Sequence, residues 1–228
     1  MTAPTAEKKH RIPRAFQLDG HRSRFAYFFL ALVVVLAMRM LENTMHEYAH
    51  VVFVLLSGGE VVGLPLVTPF GGFTRWRGDT VPVAWLPAVN IAGTLVSVVV
   101  LLAIFLPVYF KAKQPWMRWF AYWGACIVPV NSLFYWFMAP FIATAQHYDP
   151  IAFAANVGIS PPWIVGVIAA VPFSIAAWWM VKGTRSIRSG ILLDPHRFHV
   201  FCLVLYYIIS IGFPVVSYLN LLDRFAFW

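Results

Sequence analysis

Charge is scarce in this chain. Only 11% of its 228 residues are Asp, Glu, Lys or Arg, while 61% are hydrophobic. A soluble domain carries about 25% charged residues, so a water-soluble fold is excluded. Cysteine is nearly missing as well. The two that occur, Cys126 and Cys202, both stand inside apolar runs. That excludes a disulfide framework and a CxxC metal site, and both read as buried, unreactive thiols. Strict apolar–polar alternation is absent too, which argues against a membrane β-barrel. No internal repeat of the transporter kind is visible. The net charge of +8 invites a nucleic-acid partner. The basic residues instead gather at the ends of the apolar runs and form no patch interleaved with aromatics, so no nucleic-acid binding is expected.

What the chain does have is long apolar stretches, with a mean hydropathy of +0.73. Several reach the roughly 20 residues that span a bilayer. The expected fold is an all-α membrane protein. It has about five transmembrane helices and a small strand-rich hairpin between the first and second. Residues 1–24 form a basic cytoplasmic tail, and residues 25–228 form one polytopic membrane domain in a cell membrane. The first apolar run lacks a small-residue cleavage site, so it reads as a retained anchor. The spans are expected at Phe25–Leu56, Ala84–Phe110, Trp116–Phe141, Trp163–Val181 and Phe198–Leu221. Gly58-Gly59 should stop the first. Between the first two, Val61-Val62, Leu64, Leu66-Val67 and Phe73 suggest short strands, with Gly71-Gly72 as a turn; a plain connecting loop is the alternative.

The first span carries His46-Glu47-Tyr48-Ala49-His50, an HExxH string. On a helix the two histidines lie one turn apart on the same face. Such a pair can grip one zinc ion, with Glu47 held beside the metal as an acid/base. Ionisable groups inside a membrane are costly and tend to be functional. Arg39 and Glu42 share the stripe with His46 and His50. Glu42 could orient a metal-binding histidine, with Arg39 pairing it, or the two could form a plain intramembrane ion pair.

Sidedness follows from the basic residues. The tail, the loop after the second span (Lys111, Lys113, Arg118) and the loop after the fourth (Lys182, Arg185, Arg188, Arg197) hold most of them. The opposite loops hold Arg75, Arg77 and Arg224. The positive-inside rule then puts the N-terminus in the cytoplasm. It also puts the exit end of the first span on the same side as the loop at Ala143–Pro162. A catalytic zinc takes three protein ligands and one open position. The third can come from Asp149 first, His147 second and Asp79 third; each could instead be a solvated loop residue, with Asp149 opening a short helix through Ile151–Val157.

These motifs resemble the site-2 protease family of intramembrane zinc metalloproteases, especially short members without a PDZ domain. The match runs over about residues 25–162, which would be the catalytic core. It rests on the HExxH string, the Gly58-Gly59 stop and the strand-rich stretch after it. Pro87-Ala88-Val89-Asn90 looks like the family's GPxxN, with Leu86 replacing the glycine. Asn131, Pro140 and Asp149 look like a stretched NxxPxxxxDG, with His147-Tyr148-Asp149-Pro150 in place of LDG. The resemblance implies His46, His50 and Asp149 as zinc ligands and Glu47 as the catalytic acid/base. It implies Asn131, and by its motif Asn90, as residues shaping the site or holding substrate. Better-known members place the site toward the cytoplasm, whereas the charge count here places it outside.

The expected function is hydrolysis of peptide bonds in or near transmembrane segments of membrane-protein substrates, with Zn2+ as cofactor and the lipid bilayer as surroundings. The rivals are a metallohydrolase of lipids or small amides, and a non-proteolytic protein such as a pseudoprotease or a metal-handling protein. The polar residues concentrate around the first and third spans rather than along a path across the membrane, which counts against a transporter.

Overall fold

The computed structural model of the chain describes residues 21–69, 71–143 and 148–190. Helix α1 (His21–Leu56) leads into a two-stranded hairpin, β1 (Leu66–Thr68) and β2 (Gly71–Phe73). Then come α2 (Leu86–Lys111), α3 (Pro115–Tyr122), α4 (Val128–Ile142), the short α5 (Asp149–Asn156) and α6 (Trp163–Gly190). Four segments are long and apolar enough to cross a membrane: Arg24–Leu56, Val83–Lys111, Pro115–Ile142 and Trp163–Ser186. They coincide with the first four expected spans. The fifth, at Phe198–Leu221, lies outside the described residues, as do residues 1–20 of the expected basic tail, Cys202 and His147; residues 21–24, assigned to that tail, are instead the start of α1.

Helix α1 has 36 residues. At 1.5 Å per residue it is about 54 Å long, well beyond the roughly 30 Å hydrocarbon core. It stops where expected. Gly58 takes a left-handed φ of 82°. Its N–H bonds the Leu55 carbonyl at 3.0 Å, and the Gly59 N–H bonds Val54 at 2.9 Å. This glycine cap satisfies carbonyls the helix end would otherwise leave bare. Helix α2 opens with Pro87, at a position whose N–H is not needed.

The third span is one rod with a widened turn at Trp123–Ile127. Pro129 has no N–H to offer the Ala125 carbonyl four residues back. Locally the bonding lengthens, and the Val128 N–H reaches Trp123. Gly124 sits in this turn against the Phe105 ring, so α2 approaches closely there.

The core is richest in the half remote from the HExxH string. Tyr27 and Met38 of α1, Leu101 and Phe105 of α2, and Trp119, Tyr122 and Trp123 are all buried there. Cys126 lies among them, as expected of an unreactive thiol. A smaller cluster of Trp136, Ala154, Val165 and Ala169 ties α5 to α4 and α6. Outward, Val33, Leu95, Val99, Val167, Val171 and Ile175 are exposed. A continuous apolar exterior of this kind suits lipid contact.

The hairpin is antiparallel, with Leu66 opposite Phe73 and Val67 opposite Gly72. A further bridge pairs Val61 with Trp76. The strands fall where expected, but Gly71-Gly72 is not the turn. Both glycines lie in β2, because Gly72 must pass over Glu47: a Cβ there would stand 2.6 Å from the Glu47 Cγ.

One polar knot is buried at mid-bundle. Arg39 Nη1 donates to Glu42 Oε2 at 2.6 Å. Ser132 Oγ donates to Glu42 Oε1, and Asn131 Nδ2 lies 3.4 Å from both carboxylate oxygens. Removing one partner of a buried pair costs far more than the pair is worth, because a charge is stranded. Glu42→Ala should therefore lower stability by about 3–5 kcal/mol in detergent. An Arg39→Met/Glu42→Leu double variant should regain much of that, read from thermal unfolding. A double variant as unstable as the single would contradict this account.

Candidate metal centre

The site is assembled from three helices and the hairpin. Helix α1 supplies His46 and His50, one turn apart, with ring centroids 4.8 Å from each other. Their Nε2 atoms are 3.1 Å apart. Asp149, at the start of α5, brings Oδ2 to 3.0 Å from the His46 Nε2 and 3.4 Å from the His50 Nε2. Two imidazole nitrogens and one carboxylate oxygen thus converge on one point, as a metal-binding group would. Such a group can hold a metal ion.

The surroundings fix these side chains in ligating form. His50 Nδ1 is 2.8 Å from the Val89 carbonyl. The carbonyl can only accept, so the proton sits on Nδ1 and the Nε2 lone pair faces the group. Trp76 stacks on the same ring at 6.0 Å. The Asp149 backbone N–H donates to the Tyr135 hydroxyl at 3.0 Å, which anchors α5 on α4. Burial alone would push the Asp149 carboxyl up. His50 and His46, when their Nε2 atoms carry a proton in place of a metal, outweigh that by charge and hydrogen bonding and hold it well below the usual carboxylate range. It is therefore ionised at neutral pH, the form that ligates.

Glu47 is 5% exposed and lies within electrostatic reach of both histidines. The Thr74 hydroxyl lies 2.8 Å from Glu47 Oε2 and 3.0 Å from the Glu47 backbone carbonyl. Gly72 closes over it from β2. Gly93 of α2 faces the donors: a Cβ there would stand 2.6 Å from both the His46 and His50 Nε2 atoms. The missing side chain is the room in which an ion can sit.

His46, Glu47, His50 and Asp149 are thus brought together. Three other expected residues are buried nearby in different roles. Glu42 was a candidate for orienting a histidine. Its carboxylate is instead taken up by Arg39, Asn131 and Ser132, which leaves the plain ion pair as the arrangement found. Asn131 belongs to that knot. Asn90 accepts a 2.8 Å hydrogen bond from Asn156 Nδ2 and so holds the far end of α5 against α2. Asp79 is exposed in a short turn at Gly78–Thr80, away from the donors.

Thr74, Tyr135 and Gly93 were missed. For Gly93 a signal existed, since Asn90, Gly93, Thr94 and Ser97 make a small and polar stripe at helical spacing along an otherwise apolar span. For Thr74 and Tyr135 there was none beyond their positions near the motifs.

No family model, no characterised protein and no solved structure matches the chain.

The purified protein should carry one divalent metal ion per chain by elemental analysis. His50→Ala and Asp149→Ala should lose it, since each removes one of three donors. Gly93→Val should lose it as well while keeping its helical circular dichroism. Full metal content in Gly93→Val would show that the cleft between the histidines is not the binding place.

Proposed function

We propose that the protein is an intramembrane zinc metallopeptidase that cuts peptide bonds in or near transmembrane segments of other membrane proteins. The observation that carries this is the joint placement of Glu47 and the His46–His50–Asp149 group inside an apolar helical bundle. The donor set supports zinc. Zinc–ligand distances of about 2.0–2.1 Å at tetrahedral angles put donors about 3.3–3.4 Å apart, close to the 3.0, 3.1 and 3.4 Å found. The resemblance of the HExxH string and its flanking motifs to site-2 proteases points the same way.

A bound zinc would supply Lewis acidity, polarising the scissile carbonyl and making water more acidic. The chain's own residues do the rest. His50, fixed by Val89, and Asp149, fixed by its backbone bond to Tyr135, hold their donor atoms still. Glu47 takes a proton from the attacking water and returns it to the leaving amine. The Thr74 hydroxyl aims its carboxylate. Gly72 gives the β2 backbone a close approach to Glu47, so an unwound substrate segment can lie along the hairpin beside the acid/base. A helical substrate must unwind first, because its own hydrogen bonds shield the peptide carbonyls. By the distribution of basic residues, the N-terminus faces the cytoplasm and the site opens on the opposite side.

Glu47→Gln keeps every donor of the metal group and removes only the proton carrier. It should retain the metal and slow cleavage of a panel of labelled transmembrane helices in liposomes by about 10²–10⁴-fold. Cleavage at the normal rate would defeat the mechanism. Hydrolysis of lipid acyl or small amide bonds, with every peptide in the panel intact, would transfer the same residues to a different metallohydrolase.

A further inference from the structure

At the end of the bundle remote from the metal group, a second polar cluster has no assigned role. Arg118 of α3 reaches Ser186 of α6, Nη2 to Oγ, at 3.5 Å. Its guanidinium carbon lies 5.9 Å from the centre of the Tyr109 ring of α2. The Tyr109 hydroxyl also bonds Ser186. Three helices therefore meet at one arginine. The Arg118 Nε is buried and has no hydrogen-bond partner. Buried donors of a charged group are costly to leave unmade.

The charge around it has one sign. Lys111 and Lys113 follow Tyr109 in the chain, and Lys182 and Arg185 flank Ser186 on α6. Lys182 rests over the Trp178 ring at 3.9 Å. Among the described residues Glu47, Glu60, Asp79 and Asp149 belong to the other half of the bundle and Glu42 to its middle, and the ion pairs of these carboxylates involve Arg39, Arg77 and the two histidines. No acidic side chain of the described residues answers Arg118.

We propose that Arg118, Tyr109 and Ser186 form a binding site for the phosphate of an anionic phospholipid headgroup. A planar guanidinium with a donor to spare suits phosphate oxygens, and the Tyr109 and Ser186 hydroxyls, bonded to each other, place their oxygens beside it. Lys111, Lys182 and Arg185 supply the surrounding positive field. The place suits a lipid rather than a soluble anion, because the cluster caps apolar spans whose outer faces are Phe110 and Trp178, both exposed. Acyl chains can lie on those faces while the phosphate meets Arg118. By the positive-inside reading this end faces the cytoplasmic leaflet, where anionic lipids concentrate.

The test uses the full-length protein in phosphatidylcholine vesicles with rising fractions of brominated phosphatidylglycerol, read by tryptophan quenching. Wild type should prefer the anionic lipid. Arg118→Gln should weaken that preference by about 10-fold or more, as loss of hydrogen bonds to a charged group implies. Lys113→Gln, an exposed cation at the same end, should weaken it by less than about fivefold, as one surface charge does. Equal effects of the two variants, or no preference in wild type, would overturn the site. Inorganic phosphate that restores fluorescence at matched ionic strength would overturn the lipid assignment and leave a soluble-phosphate site. Should Arg118→Gln fail to fold, Tyr109→Phe/Ser186→Ala keeps the charge and should still weaken the preference about 2–10-fold. An unchanged preference there would overturn the site too.

Discussion

Everything near the metal group follows from one constraint. A polar side chain inside an apolar bundle has no water to turn to, so it must find its partner within the protein. The stretch from Arg39 to His50 places six ionisable or amide residues on a largely apolar helix: Arg39, Glu42, Asn43, His46, Glu47 and His50. Arg39 pairs with Glu42 on the same helix, and the other five each draw another element in. Glu42 draws Asn131 and Ser132 of α4. Asn43 Nδ2 donates to the Thr68 carbonyl of β1 at 2.7 Å. Glu47 draws Thr74 beyond β2. His46 and His50 draw Asp149 of α5 and the Val89 carbonyl of α2. The hairpin, α4 and α5 are arranged around α1 because that helix cannot be left in lipid alone.

This explains how the sequence could show so much and still hide part of the site. The four described spans were legible because hydrophobic runs and bilayer thickness are local facts. The glycine cap at Gly58-Gly59 and the two-histidine face were legible for the same reason, being set by helix geometry over a few residues. Asp149 could be nominated because topology fixed which loop ends shared a side. The partner of Glu42 could not be read. Spacing along α1 allowed both a histidine and Arg39, and the choice was made by Ser132 and Asn131, ninety residues on. Tyr135 was illegible for a like reason, since nothing local to it says that α5 will rest on its hydroxyl. Gly71-Gly72 illustrates the reverse error. Glycine pairs usually mark turns, but here a strand needs Gly72 to pass over Glu47.

The glycine at 93 shows how an absence can be functional. In a soluble helix a glycine costs about 1 kcal/mol against alanine. In a bundle it also lets helices approach closely. At position 93 neither effect is the main one. The space it leaves lies against both imidazole nitrogens, and a methyl group there would fill the position an ion needs. Close packing normally eliminates such gaps. Glycine at 93 keeps a Cβ out of the meeting point of three atoms that could ligate an ion.

The two ends of the bundle differ in sign, and the difference ties orientation to chemistry. The described carboxylates other than Glu42 lie on the side of the metal-binding group, where His46 and His50 neighbour both Asp149 and Glu47. The opposite end holds Arg118, Lys182 and Arg185 with no carboxylate of the described residues beside them, as the proposed anionic headgroup would need. His46 is ten residues from the end of α1, about 15 Å along its axis. His46 and Glu47 therefore lie well inside the apolar segment Arg24–Leu56, and the hairpin is the described extended backbone beside Glu47.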